Sequence, residues 1–160
     1  TYEGFTFSHA SIFHNALKIS GLTQLVQVGI RDYCEEEKRR VAIDDRIKVF
    51  YSHLLSRARF TGSSWQEISA SIIRSLPQKV YISLDIDGLD PKLCPNTGTP
   101  VPGGLDYAEV DFLLRELVRK GRKIIGFDLC ETAGAPHEWD ANVSARLTYL
   151  LSNLMAVSAS

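Results

Sequence analysis

Short apolar runs alternate with longer amphipathic segments along this chain, and the alternation constrains its fold more than any other feature. Each apolar run has the length of a strand, and each longer segment has apolar residues at helical spacing. Strands that alternate with helices are typical of βα units and of a parallel sheet. We therefore predict an α/β fold, a three-layer α/β/α sandwich with a mainly parallel sheet, with strands at residues 24–29, 47–51, 79–85 and 123–129.

The segments between these runs predict helices at residues 11–19, 35–44, 64–75, 107–120 and 141–155. Ser63 or Ser64 is suited to cap the third helix, Glu67 would form a capping box with Ser64, and Asp106 is suited to cap the fourth helix. The apolar positions of the last two helices fall on one face of each helix. These positions, which predict core packing, are Val110, Leu113, Leu114 and Leu117, and Leu147, Leu150, Leu151 and Leu154.

The third predicted strand ends in a pair of carboxylates, Asp85 and Asp87. Side chains two residues apart on a strand point to the same face, about 6–7 Å from each other. Their repulsion costs roughly 3 kcal/mol at an effective dielectric constant of ~20, so a bound cation or a proton is expected to neutralise the pair. Gly88 permits a turn, and the loop that follows is rich in proline and glycine, as functional loops at strand ends often are. The alternative is a strand that ends in turn-forming aspartates.

The stretch from Ser83 to Leu105, SLDIDGLDPKLCPNTGTPVPGGL, resembles the ureohydrolase family of arginases, agmatinases and formimidoylglutamases. In the family, an Asp-x-Asp-x-x-Asp-Pro segment followed by a Gly-Thr-Gly-Thr-Pro loop is the most diagnostic part. The resemblance implies a centre of two manganese ions per full-length subunit, in which Asp85 bridges the metals and Asp87 binds one of them. Asn96 stands where the family loop usually has glycine, and asparagine tolerates left-handed backbone angles better than most residues.

Residues 7–13, Phe-Ser-His-Ala-Ser-Ile-Phe, resemble the family's catalytic histidine segment, with a pattern most similar to that of agmatinases. The resemblance implies that His9 lies near the metals and carries a proton. A side chain with an unperturbed pKa of about 6.5 suits this task. The alternative for His9 is an ordinary hydrogen-bonded loop residue. His14 matches no family ligand, and we assign it to the surface or to packing.

The fourth predicted strand leads to Glu131, which matches the family's glutamate for a guanidinium or related amidine group. A carboxylate holds such a planar cation through charge-assisted hydrogen bonds. Asp128 lies three residues earlier, so we predict that it faces the other side of the strand and forms structural hydrogen bonds. The proline that usually follows the family's glutamate is delayed here to Pro136. Asp140 matches an aspartate that orders a loop in agmatinases.

The composition argues against several classes of protein. The 160 residues are 44 % apolar and carry 18 basic and 19 acidic side chains, for a net charge of −1. This balance gives no overall field that attracts nucleic acid or anionic lipid. No apolar run reaches the ~20 residues needed to cross a bilayer. Three separate cysteines favour reduced thiols over disulfides or a zinc site. We therefore expect a soluble, cytoplasmic protein without nucleic-acid or membrane partners.

The chain begins at Thr1 without a methionine, and its first residues read as the middle of a loop. The family takes its other metal ligands from an earlier histidine and an Asp-x-His-x-Asp strand end, which this sequence lacks. We therefore expect residues 1–160 to be the C-terminal portion of a single ureohydrolase domain. The sequence Gly29-Ile30-Arg31 after the first strand also resembles the family, and we assign it a structural role.

Together these resemblances imply a manganese-dependent hydrolase that cleaves a guanidino or amidine carbon–nitrogen bond. They imply a small guanidino substrate and a homo-oligomer, a trimer or a hexamer. The histidine segment favours agmatine, while arginine, other guanidino compounds and formimidoylglutamate stay open. A metal-free binding or assembly module that kept the fold is an alternative from another class. A related metal-dependent amide hydrolase, such as a deacetylase, is a third, although that group lacks the Gly-Thr-Gly-Thr-Pro loop.

Overall fold

The structure of the chain is a computed structural model that describes residues 4–133 and 138–159. All four predicted strands and all five predicted helices are present, with some of their ends shifted. Strands β1 to β4 are Leu25–Ile30, Ile47–Tyr51, Lys79–Asp85 and Lys123–Cys130. Helices α1 to α6 are Ile12–Ala16, Glu35–Ile43, Ser52–Phe60, Trp65–Arg74, Tyr107–Arg119 and Trp139–Ala159.

The strands pair in parallel, as the alternation of elements predicts. Strand β1 pairs with β2, and β3 pairs with β4, so that the described strands form two sheets of two strands each. Arg31 connects the two sheets at their carboxyl ends, because its guanidinium donates to the carbonyl oxygens of Gly88, at 3.1 Å, and of Asp87. The ends of β1 and β3 therefore lie close together, where ligands bind in open parallel sheets.

The main core lies between the β3–β4 sheet and helices α4, α5 and α6. Burial of a large aliphatic side chain contributes about 1.5–3 kcal/mol to stability, so this layer anchors the strand ends that carry the carboxylates. The apolar stripes predicted for α5 and α6 are confirmed as part of it. The largest fully buried aliphatic side chains are those of Ile72, Ile86, Leu89, Ile124, Leu147 and Leu151.

The predicted start signals of two helices are confirmed. Ser64 Oγ accepts from the backbone N–H of Glu67 at 3.2 Å, and the Glu67 carboxylate accepts from the Ser64 N–H at 2.8 Å. This capping box satisfies N–H groups that the first turn of α4 leaves without helical partners. Asp106 is the N-cap residue of α5.

Helix α3 was not among the predicted elements. It begins directly after β2, its N-cap residue is Tyr51 without a capping side-chain bond, and only Ser52 and Leu55 within it are buried. It therefore has neither a polar cap nor a wide apolar stripe, which are the two signals that sequence reading uses.

Among the helices in residues 4–133 and 138–159, none combines the length and the apolar character needed to span a membrane.

Candidate metal and substrate site

Asp85 and Asp87 lie at the carboxyl end of β3. Strand β3 ends at Asp85, and residues Ile86–Gly88 form a 3-10 turn. The Asp85 carboxylate accepts a hydrogen bond from the backbone N–H of Asp87 at 3.1 Å, which stabilises the turn. The strand alternation that we used in the sequence analysis therefore does not apply to Asp87, because the strand has already ended. The turn, and not the pleat, keeps the two aspartates together.

Asp85 has a perturbed acidity. Partial desolvation raises its pKa most, the hydrogen bond from the Asp87 N–H lowers it, and the negative charges of Asp87 and Glu131 raise it, so that the pKa of Asp85 is about 6. Carboxylates that raise one another's pKa form a site that a proton or a cation neutralises. The contribution of Glu131 also shows that the ends of β3 and β4 present their carboxylates to a common region.

Glu131 follows β4 directly and has a backbone φ of 60°, the one positive value among the described residues other than glycine. A left-handed conformation is uncommon for such a residue, and it is typical of functional positions. The Glu131 carbonyl oxygen accepts from Thr97 Oγ1 at 3.0 Å, and its carboxylate lies beside Gly98. The surrounding loop therefore holds Glu131 in the conformation that directs its side chain.

Asp128 lies on the same face of the sheet as Asp85. In the register of the sheet, Ser83 is opposite Asp128 and Asp85 is opposite Cys130, and residues two apart share a face. The predicted hydrogen-bonding role is confirmed, because Ser83 Oγ donates to Asp128 Oδ1 at 2.8 Å. The predicted direction of Asp128, opposite to that of Glu131, stays a prediction, because Glu131 follows the strand and has a φ of 60°.

The loop of residues 96–99 connects the carboxylates to one another. Thr99 Oγ1 donates to Asp87 Oδ2 at 2.7 Å, while Thr97 holds the backbone of Glu131. Sequence reasoning used this loop only to identify the family and did not predict these contacts. The available signal was a pair of hydroxyl side chains in a loop that directly follows an acidic strand end.

Arg31 was assigned only a structural role, and its contacts bear directly on the site. Its guanidinium bonds to the carbonyl of Gly29 at 3.1 Å as well as to Gly88 and Asp87. Gly29 has a φ of 83°, which favours glycine, at the point where β1 meets this turn. The end of β1 thus fixes the backbone that carries Asp87.

His9 is exposed and begins the short 3-10 turn His9–Ser11, which precedes α1. The turn is stabilised by the Ser8 N–H, which donates to Ser11 Oγ at 2.9 Å, and by Ser11 Oγ, which donates to the carbonyl of Thr6 at 2.9 Å. The proton-carrying role of His9 stays a prediction. His14 is exposed, as expected. Pro136, where the delayed proline was noted, lies outside the described residues.

The donor chemistry of the site fits part of a metal centre. Asp85 and Asp87 offer carboxylate oxygens, which are ligands that manganese and magnesium prefer, and both are oriented by hydrogen bonds. Within residues 4–133 and 138–159, no group of three or more His, Cys, Asp or Glu side chains is arranged to hold a metal ion. The described chain therefore supplies two candidate ligands of a larger set.

A profile of the arginase family matches residues 1–155. The chain therefore belongs to the arginase family, as the ureohydrolase resemblance predicted, and its fold is the α/β fold of that family.

The chain is 36 % identical over 158 residues to the N(1)-aminopropylagmatine ureohydrolase of Thermus thermophilus. The aligned region covers 99 % of this chain and 50 % of that protein. The arginase from Medicago truncatula is similar in structure with a TM-score of 0.75 at 27 % identity, over 96 % of this chain and 46 % of the arginase chain. The agmatine ureohydrolase of Thermoplasma volcanium gives a TM-score of 0.69 at 26 % identity, over 99 % of this chain and 50 % of the other. This chain thus spans about half the length of these relatives.

Proposed function

We propose that the protein carrying this chain is a ureohydrolase that converts a linear guanidino compound of the agmatine type to urea and an amine. The observation that carries the proposal is the set of carboxylates Asp85, Asp87 and Glu131 at neighbouring strand ends, connected by the loop of residues 96–99. Membership of the arginase family supports it. The names of two relatives, for aminopropylagmatine and for agmatine, favour an agmatine-type substrate.

Asp85 and Asp87 are the proposed ligands, whose carboxylates would hold manganese at the carboxyl end of β3. Oxygen ligands favour manganese over zinc. When bound, such cations lower the pKa of a coordinated water and supply a nucleophile near neutral pH. The part of this chain is to hold the two carboxylates in place, through the turn at Ile86–Gly88 and the Thr99 hydrogen bond.

Glu131 is the proposed partner of the substrate guanidinium. Its carboxylate would accept charge-assisted hydrogen bonds from the planar N–H groups and fix the central carbon in position for attack. His9 is the proposed proton carrier, which protonates the departing amine. Glu131 therefore acts on substrate orientation, and His9 acts on the rate of carbon–nitrogen cleavage.

We further propose that residues 1–160 form the C-terminal portion of one ureohydrolase domain, whose other ligands come from a part not included in this chain. The whole protein would be a cytoplasmic homo-oligomer, a trimer or a hexamer. Arginase or formimidoylglutamase activity is the alternative within the family. A metal-free binding module is the alternative outside it.

The decisive experiment measures urea release by the full-length protein with manganese. Agmatine, N(1)-aminopropylagmatine, arginine and guanidinobutyrate are compared as substrates. We expect Glu131→Gln to raise KM strongly with the bound metal unchanged, since only the charge that faces the substrate is lost. We expect His9→Ala to lower kcat by about 10²–10⁴-fold with a smaller effect on KM.

Two results would contradict the proposal. Absence of urea release from all four guanidino compounds by the manganese-loaded protein contradicts a urea-forming activity. If His9→Ala has the same kcat as the wild type across pH 6 to 10, His9 is not the proton carrier. Loss of general acid–base catalysis would lower kcat. The substrate with the highest kcat/KM assigns the activity within the family.

A further inference from the structure

Asn96, which occupies the position of a family glycine, forms a contact that a glycine cannot form. Its side-chain amide donates from Nδ2 to Asp140 Oδ1 at 3.0 Å, and its backbone N–H donates to Asp140 Oδ2 at 3.0 Å. Asp140 belongs to the first turn of α6 and is fully buried. Both oxygens of one buried carboxylate are therefore used to hold residue 96.

The three residues after Asn96 contact both Glu131 and Asp87 of the candidate site. Thr97 binds the carbonyl of Glu131, Gly98 lies against the Glu131 carboxylate, and Thr99 binds the carboxylate of Asp87. The loop is short, so a displacement at residue 96 is transmitted to residues 97 and 99 over a few bonds. The Asn96–Asp140 pair is the point at which this loop is fixed to α6.

We propose that Asn96 and Asp140 are positioning residues, which set the place of the Glu131 carboxylate and the direction of Asp87 through the loop of residues 97–99. The proposal rests on the proposed function for the meaning of those two carboxylates. It goes beyond that function because it assigns a specific task to a side chain that the family pattern lacks. Neither Asn96 nor Asp140 touches the substrate in this account.

The size of the expected effect follows from the burial of Asp140. Removal of one partner from a buried charged hydrogen bond leaves the group unsatisfied, and such losses are larger than those of neutral bonds. Small displacements of a positioned group can reduce catalysis by about 10²-fold. We therefore expect changes at residues 96 and 140 to act on substrate binding as well as on stability.

The test exchanges the two side chains. Asn96→Asp alone places two carboxylates against each other, and Asp140→Asn alone points an amide at donors. The double variant with both substitutions restores the pair in reverse, because the Asn at 140 can accept from the backbone N–H of residue 96 and donate to the Asp at 96. Asn96→Gly is a milder variant. It removes only the hydrogen bond from the side-chain amide to Asp140 and keeps the hydrogen bond from the backbone N–H.

Two readouts are taken for each variant. The first is KM and kcat for urea release by the manganese-loaded full-length protein. The second is hydrogen exchange of the backbone amides of Gly98 and Thr99 in the full-length protein without metal. We expect each single exchange to raise KM about tenfold or more and to accelerate exchange at residues 98 and 99. Asn96→Gly should show a smaller change of the same kind, and the double variant should return towards the wild type.

Asn153→Asp is the matched control, since Asn153 is exposed on α6 and bonds within its own helix to the carbonyl of Tyr149. It should leave KM and the exchange of residues 98 and 99 unchanged. The proposal is overturned if the single variants lower thermal stability but keep wild-type KM and exchange, which is the outcome for a purely structural pair. It is also overturned if the double variant is as impaired as the singles. If the wild type releases no urea, the proposed function fails, and the exchange comparison alone still decides whether the pair orders the loop.

Discussion

At the scale of single residues, the site is defined by carboxylates whose surroundings are already specialised. Asp85 has a raised pKa, Asp87 is oriented by Thr99, and Glu131 has a left-handed backbone held by Thr97. Each of these features costs free energy or restricts the conformation of a residue, and an ordinary strand end lacks them. Costs of this kind are typical of functional positions.

The raised pKa of Asp85 predicts a pH dependence of stability in the metal-free chain. The folded-state pKa of about 6 lies above the ordinary value of 3.8, so the folded state binds the proton more tightly than the unfolded state. The stabilising contribution is therefore fully present below pH 3.8 and is lost as the pH rises through about 6. We expect Asp85→Asn to exceed the wild type in free energy of unfolding above pH 6, and the difference to shrink towards pH 4.

Urea unfolding from pH 4 to pH 8 measures this difference. Asp45→Asn is the control, because Asp45 is exposed and precedes the amino end of β2. A difference between Asp85→Asn and the wild type that stays constant with pH would show that Asp85 has an ordinary pKa.

We expect Thr99 to affect the affinity for the metal, although it is not itself a proposed ligand. Thr99→Val removes the hydrogen bond to Asp87 Oδ2, whereas Thr99→Ser can keep it. Loss of such an outer partner lowers metal affinity typically by about 10–100-fold. Manganese titration calorimetry of the full-length protein should show this loss for Thr99→Val only. The control is Thr148→Val on α6, whose hydroxyl bonds to the carbonyl of Ser144 at 2.9 Å. Equal affinities for the two valine variants would contradict the role of Thr99.

At the scale of elements, the loop between β3 and α5 is held by a close backbone approach. Leu89 and Leu105 form an isolated bridge, in which the Leu105 N–H donates to the carbonyl of Gly88 at 3.1 Å and the Asp90 N–H donates to the carbonyl of Leu105 at 3.0 Å. Gly104 lies so close to Leu89 that a Cβ at this position would collide with the Leu89 carbonyl group. The loop that carries Thr97 and Thr99 therefore begins and ends at fixed points.

Gly104→Ala should consequently destabilise the fold, because the collision involves backbone atoms that cannot rotate away. We expect a loss of at least about 1–3 kcal/mol in the free energy of unfolding. Gly21→Ala is the matched control, since a Cβ there would meet no described atom within 4 Å, and it should change stability by no more than about 0.5 kcal/mol. Chemical denaturation compares the two variants, and equal midpoints would disprove the close approach.

At the scale of the whole molecule, the β3–β4 sheet is covered on one face by the core and has exposed apolar residues on the other. Tyr81 and Ile125 are 59 % and 57 % exposed. Parallel sheets are normally covered on both faces. The chain spans about half the length of the relatives that it matches.

The 160-residue chain by itself should bind manganese weakly and hydrolyse no guanidino compound at a useful rate. Two carboxylates give less charge and fewer donors than a complete centre, and metal binding is linked to the assembly of its ligands. Calorimetry with manganese tests this directly, and magnesium serves as the control ion. Tight binding of two manganese ions per chain would show that the described residues are sufficient.

The sequence by itself determined the order and type of most elements, the parallel pairing, the capping box at Ser64 and the family. These features depend on local periodicity and on residue types at fixed spacing, which a sequence displays directly. The pair of aspartates was noticed in the same way, from the position at which the strand pattern ends, whereas Glu131 was assigned from its match to the family's glutamate, and the roles of all three stay predictions. Helix α3 was missed because it has neither of the usual local signals.

Only the tertiary structure decided which distant residues meet. The register of β3 and β4 shifts between Val80 and Tyr81, and a shift of one residue changes which side chains share a face. The face of Asp128, the link from Arg31 to Asp87 and the bond of Asn96 to Asp140 all depend on such non-local geometry. All of α5 and all of β4 lie between residues 96 and 140, so no local pattern encodes their contact. Their pairing is decided by how helices and strands pack, which is a property of the folded chain.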